Sequence, residues 1–99
     1  MKIVGFDEFC RLPVGTVFSY WKPCIVAGLY RRGEVISRDG GPQDFFEASL
    51  IACSYNGDAP AVDLIESRWG MFDYDQQFLV YEAAEIEVIA EGLGVQRED

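Results

Sequence analysis

Apolar and polar positions alternate most regularly between Val14 and Ser37. In an extended chain Val17, Ser19 and Trp21 point to one side, and Thr16, Phe18 and Tyr20 to the other. Aromatic residues on both sides mark this segment as a central strand. β-branched and aromatic residues fill three short runs here, separated by Lys22-Pro23 and by Arg31-Arg32-Gly33. The pattern predicts an antiparallel meander. Pro23 cannot donate to a sheet ladder, so the strand should break there. Gly28 suggests a bulge or the close approach of something bulky. Arg31-Arg32-Gly33 reads as a hairpin turn, with the glycine placed for a positive φ.

The remaining segments extend or cover this sheet. Lys2 to Val4 suits a short strand. From Gly5 to Leu12 the chain reads as a short helix. Phe6, Phe9 and Cys10 share one face of it, and Asp7 and Glu8 sit where the helix dipole favours acids. Pro13 ends it. Arg38 to Asp44 is dense in turn residues and reads as a loop. Phe45 to Ser54 is apolar and fits either a strand or a helix; the strand, ended by an Asn56-Gly57-Asp58 turn, is preferred. Pro60 to Ile65 is a further candidate strand. Phe78 to Tyr81 is a strand. Glu82 to Leu93 is a helix with an apolar stripe at Ile86, Ile89, Ala90 and Leu93. Gln96 to Asp99 reads as a frayed tail. The sum is an α+β fold: a curved antiparallel sheet of four to six strands, with a short N-terminal helix and a C-terminal helix.

A length of 99 residues, 49% of them hydrophobic, predicts a single domain over 1–99 with a real core. No apolar run is long enough to span a bilayer. The first residues carry acids too early for a signal peptide, so a cytoplasmic location is expected. Charge changes the picture more. Up to Gly57 six acids face six bases; from Asp58 onward eleven acids face Arg68 and Arg97 alone, so the net charge of −9 lies entirely in the second part. Direct nucleic-acid binding is disfavoured by this balance, and a basic partner is favoured.

Catalytic chemistry is thinly represented. The chain has no histidine, which removes Ser-His-Asp and Cys-His nucleophiles and any His-bearing metal site. Cys10, Cys24 and Cys53 are widely spaced and read as packed thiols. Asp73 and Asp75 form the nearest approach to a carboxylate or metal site. A calcium loop needs more oxygen ligands than they provide, and a solvated turn is the plainer reading. No catalytic residue, metal site or cofactor is therefore assigned. Two binding constellations remain. Asp73, Asp75, Glu82 and Glu85 would form an acidic face with Trp69 and Tyr74 as aromatic anchors. Alternatively, Arg31 and Arg32, with Tyr30 or Trp21, would hold a phosphorylated ligand such as a nucleotide.

Two segments carry a resemblance. Phe6-Asp7-Glu8-Phe9-Cys10-Arg11-Leu12-Pro13-Val14-Gly15-Thr16-Val17-Phe18 is similar to the opening of small phage and prophage proteins. These begin with a short helix, then Leu-Pro-x-Gly-Thr and a strand. Phe72-Asp73-Tyr74-Asp75-Gln76-Gln77-Phe78-Leu79-Val80-Tyr81-Glu82 resembles their closing turn, strand and helix. Such small acidic proteins include inhibitors of bacterial defence, anti-CRISPR proteins among them. The resemblance implies a non-enzymatic inhibitor that binds a basic host protein or nucleoprotein complex stoichiometrically, its acids standing in for nucleic-acid phosphates. The alternative expectation is a module, or sponge, for a nucleotide signal. A homodimer through a sheet edge is open to either.

Overall fold

The computed structural model describes residues 1–52 and 62–94. Among the described residues one antiparallel sheet of six strands, not closed into a barrel, carries a short helix near each end of the chain. The elements are β1 (Lys2–Val4), α1 (Phe6–Arg11), β2 (Val17–Lys22), β3 (Ile25–Arg38), β4 (Gly41–Ser49), β5 (Ser67–Arg68), β6 (Gln77–Tyr81) and α2 (Ala83–Gly92). Their order across the sheet is β1-β6-β2-β3-β4-β5. The chain's last strand therefore lies between its first two. Phe78 of β6 sits opposite Val4 on one side and Tyr20 on the other.

The core gathers on the side of the sheet that α1 covers. Phe9 projects from α1 and is fully buried. Its ring stacks on Phe78 at 4.0 Å and meets Phe18 and Phe45 edge-on at 4.7 and 5.2 Å. Val4, Phe6, Trp69 and Val80 complete the buried cluster. Full burial of one such ring contributes about 1.5–3 kcal/mol, so this cluster is the main source of stability.

Several expectations are met by particular residues. Phe18 and Ser19 point to opposite faces and both are fully buried, as a central strand requires. β2 stops at Lys22, before Pro23. Gly28 has φ +72°, and the Tyr30 ring lies where its Cβ would be, next to a register shift between Phe18 and Tyr20. The α2 start is a capping box between Glu82 and Glu85.

Other expectations are corrected. Arg31-Arg32-Gly33 is not a turn: it lies inside the 14-residue β3 and is absorbed by a register shift between Arg32 and Val35. Gly33 has no positive φ, and the nearest atoms to a Cβ built there belong to the exposed Glu66 carboxylate at 2.7 Å, which can swing aside. The turn is Asp39-Gly40, with φ of +51° and +80°, which suits a two-residue hairpin. Arg38 to Asp44 is thus mostly strand. Residues 62–65 form no strand; the last sheet element on that side is the two-residue β5, pairing with Phe46 and Glu47. The Asn56-Gly57-Asp58 turn, residues 60–61 and the tail lie outside the described residues. The apolar stripe of α2 is not sunk into the core: no residue of α2 is buried, and Leu93 is 76% exposed.

Candidate functional site

β6 divides the predicted acidic face in two. Before it, Asp73 and Asp75 stand in a tight turn where the Asp75 amide donates to Asp73 Oδ1 at 3.2 Å. The Gln76 side chain ties this turn to β2 by donating to the Trp21 carbonyl at 3.1 Å. Asp73 and Asp75 line a cleft of about 140 Å³ with Trp21, Lys22 and Pro23. After β6, Glu82 and Glu85 begin α2. The Met1 amine contacts both, 3.0 Å from Glu82 Oε1, and this amine is the main reason Glu85 is held below the usual carboxylate range. At about 3.4 Å per strand residue the two acidic groups lie roughly 20 Å apart. That is well beyond the screening length of about 8 Å at physiological salt. They are two patches, not one face.

The two aromatic anchors lie together, ring centroids 6.3 Å apart, but differ in exposure. Trp69 is 5% exposed and stacks on Phe45 and Phe6 at 5.1 and 5.3 Å. It is a core residue and does not present itself to a partner, which corrects the expectation. Tyr74 is exposed; its hydroxyl donates to the Gln43 carbonyl at 3.1 Å, and its ring meets Phe6 edge-on.

The basic constellation is dispersed. Arg32 is 1% exposed and donates to the carbonyls of Leu12, Pro13 and Gly33, with its guanidinium 5.5 Å above the Phe9 ring. Burial lowers its pKa. It is a buried clamp and not a phosphate-gripping tip. Arg31, the next residue along β3, points to the opposite face. Tyr30 stacks on Phe18, whereas Trp21 projects from the other side of β2. The expected ligand site of Arg31, Arg32, Tyr30 and Trp21 therefore does not come together.

Two carboxylates that the sequence reading passed over are among the most constrained groups. Asp44 is fully buried and accepts from the Phe45 and Gly70 amides and from Arg68. Glu47 is half-buried and accepts from the Tyr20 hydroxyl, beside Tyr30. The available signal was alternation: in Phe45-Phe46-Glu47 the carboxylate shares a side with Phe45, so it needed a donor within the core face. Burial pushes the Glu47 carboxyl up, and burial together with Glu47 pushes the Tyr20 hydroxyl up. Tyr20→Phe leaves this carboxylate without its donor and is expected to cost about 1–3 kcal/mol. A raised folded-state pKa means the carboxylate is tolerated best when protonated. The deficit should therefore be largest near about pH 8 and narrow toward about pH 4.5. Urea unfolding at both values tests this; a constant deficit would mean that Glu47 is not the group left behind.

Cys10 is half-buried and its thiol is pushed up to about 11 by burial, so it is unreactive near neutrality. Cys24 is exposed in the β2–β3 turn; Cys53 lies outside the described residues. Among the described residues no group of three or more His, Cys, Asp or Glu is placed to hold a metal ion. No described helix is long and apolar enough to cross a membrane.

The most uniform surface chemistry belongs to the C-terminal segment. From Trp69 to Gly94 there are six acids and no base. Five of these six are exposed and Glu85 is half-buried. Beside α2 a groove of about 320 Å³ is lined by Met1, Tyr81, Ala84, Glu85, Val88 and Ile89. Comparison with known proteins lends nothing further: no family model, no curated protein and no solved structure matches this chain.

Proposed function

We propose that this protein acts by stoichiometric binding to a basic protein surface, without catalysing a reaction. In the setting that the phage resemblance implies, the target is a nucleic-acid-handling complex of bacterial defence, of the CRISPR type, whose basic channel the acids would occupy in place of phosphates. The observation that carries this reading is that six acids and no base lie between Trp69 and Gly94, five of the acids exposed. Glu87 and Glu91 belong to the acidic set together with Asp73, Asp75, Glu82 and Glu85.

The test is capture of the tagged protein's partner from bacterial lysate, followed by titration of that purified partner at several salt concentrations. Reversing Glu87 and Glu91 to lysine, or Asp73 and Asp75 to lysine, should weaken binding at least about tenfold and flatten the dependence on salt. If both pairs of reversals leave affinity and salt slope unchanged, the reading is wrong.

A further inference from the structure

α2 is lightly held. It has ten residues, shorter than the roughly 12–15 an isolated helix needs to persist in water. Its packing neighbour in the sheet is β6, and none of its side chains is buried. Ile86, Val88 and Leu93 are 38%, 68% and 76% exposed. The groove between α2 and the end of β6 is walled by Tyr81, Ala84, Val88 and Ile89, with Met1 and Glu85 at its edge. Beside this apolar floor the Met1 amine holds Glu82 and Glu85, and Glu87 and Glu91 follow along the helix, so four acids outweigh one amine there and the last turn carries no base.

We infer that this groove docks a cationic amphipathic segment of a partner protein, one apolar side chain entering between Tyr81 and Val88 while flanking lysines or arginines meet the glutamates. The inference rests on the proposed function and adds to it the chemistry of the partner's contact. Charge selects this occupant. A second copy would bring a chain of net charge −9 against the same glutamates. Nucleic acid and anionic lipid are repelled for the same reason. A purely basic surface would satisfy the glutamates and leave the apolar floor in water. An amphipathic basic helix satisfies both, in the manner of helix-in-groove recognition.

The test uses a labelled helical peptide of about 14 residues built from leucine and lysine, with an oligolysine of equal charge as control. Binding is followed by fluorescence anisotropy and by amide shifts of the isotope-labelled protein. Shifts are expected at Tyr81, Ala84, Val88 and Ile89, and the amphipathic peptide should bind about tenfold more tightly than oligolysine. Val88→Ser removes the apolar wall and keeps every charge, and it should weaken the peptide about tenfold. Ala84→Phe, which fills the groove at an exposed helical position, should do the same. Equal binding of both peptides, indifferent to Val88→Ser, would overturn the groove and leave the acidic-surface reading standing. No binding of either peptide would overturn the groove, with the purified-partner titration deciding the broader reading separately. A dimer seen by sedimentation and lost in Val88→Ser would place a second copy there and also overturn it.

Discussion

Replacing Arg32 by alanine should lower the melting temperature by about 15 °C or more. The reason is the unusual company of its charge. A fully buried guanidinium ordinarily needs a carboxylate. Here it has three main-chain carbonyls, those of Leu12, Pro13 and Gly33, and the face of the Phe9 ring. Leu12 is also the C-cap of α1, so Arg32 meets the negative end of that helix. The Arg32 backbone binds the same connection, since its amide donates to the Thr16 carbonyl and its carbonyl accepts from the Gly15 amide. Removing the side chain takes the donor from the Leu12 carbonyl and opens a hole beside Phe9, while the Pro13 carbonyl keeps the Thr16 amide and hydroxyl. A lost donor and a cavity together cost about 3–5 kcal/mol, and each kcal/mol is worth about 4–8 °C in a domain of this size. Arg32→Lys should recover only part, because one ammonium cannot fork across carbonyls as a guanidinium does. Arg32→Met restores packing against Phe9 without donors and separates the two contributions. Thermal unfolding followed by circular dichroism measures all three. A shift of less than about 5 °C for alanine would mean the clamp contributes little.

Asp44 is the second such point, with a dependence on pH that Arg32 lacks. Burial alone would raise its pKa, but donors from Gly70, Phe45 and Arg68 outweigh burial and hold it below the usual carboxylate range. Arg68 reaches it through Nε at 3.0 Å and through a terminal nitrogen at 2.9 Å. The contact fastens β5 and the Gly70 backbone to β4, and so holds Trp69 over Phe45. Asp44→Ala should cost about 1–3 kcal/mol at neutral pH, because it leaves the buried Phe45 amide unpaired and releases Gly70 and the half-exposed Arg68. Asp44→Asn keeps the shape and loses the charge, and should cost less. A depressed folded-state pKa gives stability that is present above the unfolded value and lost as pH falls through the folded one. The wild type should therefore weaken below about pH 4, and the gap to Asp44→Asn should shrink there. Urea unfolding between neutral and acid pH reads both. A gap that is flat across this range would remove the carboxylate's charge from the account.

The misreadings share a cause. Arg31-Arg32-Gly33 has the composition of a turn, and Asp39-Gly40 nearby has the stronger hairpin dipeptide. Local propensity thus favours the turn that forms, and what it does not reveal is that Arg32 is held inside β3 by the Leu12 and Pro13 carbonyls. Trp69 sits in a polar stretch and looked like a surface anchor. Phe6 and Phe45, distant in the chain, bury it. The acidic residues were visible, but their grouping was not, since β6 carries Asp75 and Glu82 to opposite ends of a strand.

What the sequence determined by itself was whatever depends on near neighbours. The alternation that makes β2 and β6 strands, the spacing that makes α1 and α2 helices, and the proline that stops β2 are all local. So is the partition of charge, which needs only counting. The tertiary structure alone decided that β6 lies between β1 and β2, that Arg32 and Asp44 are buried, and that the apolar side of α2 opens onto a groove. Pairing and burial are set by groups far apart in the chain, whose free energies enter only once the fold has brought them together.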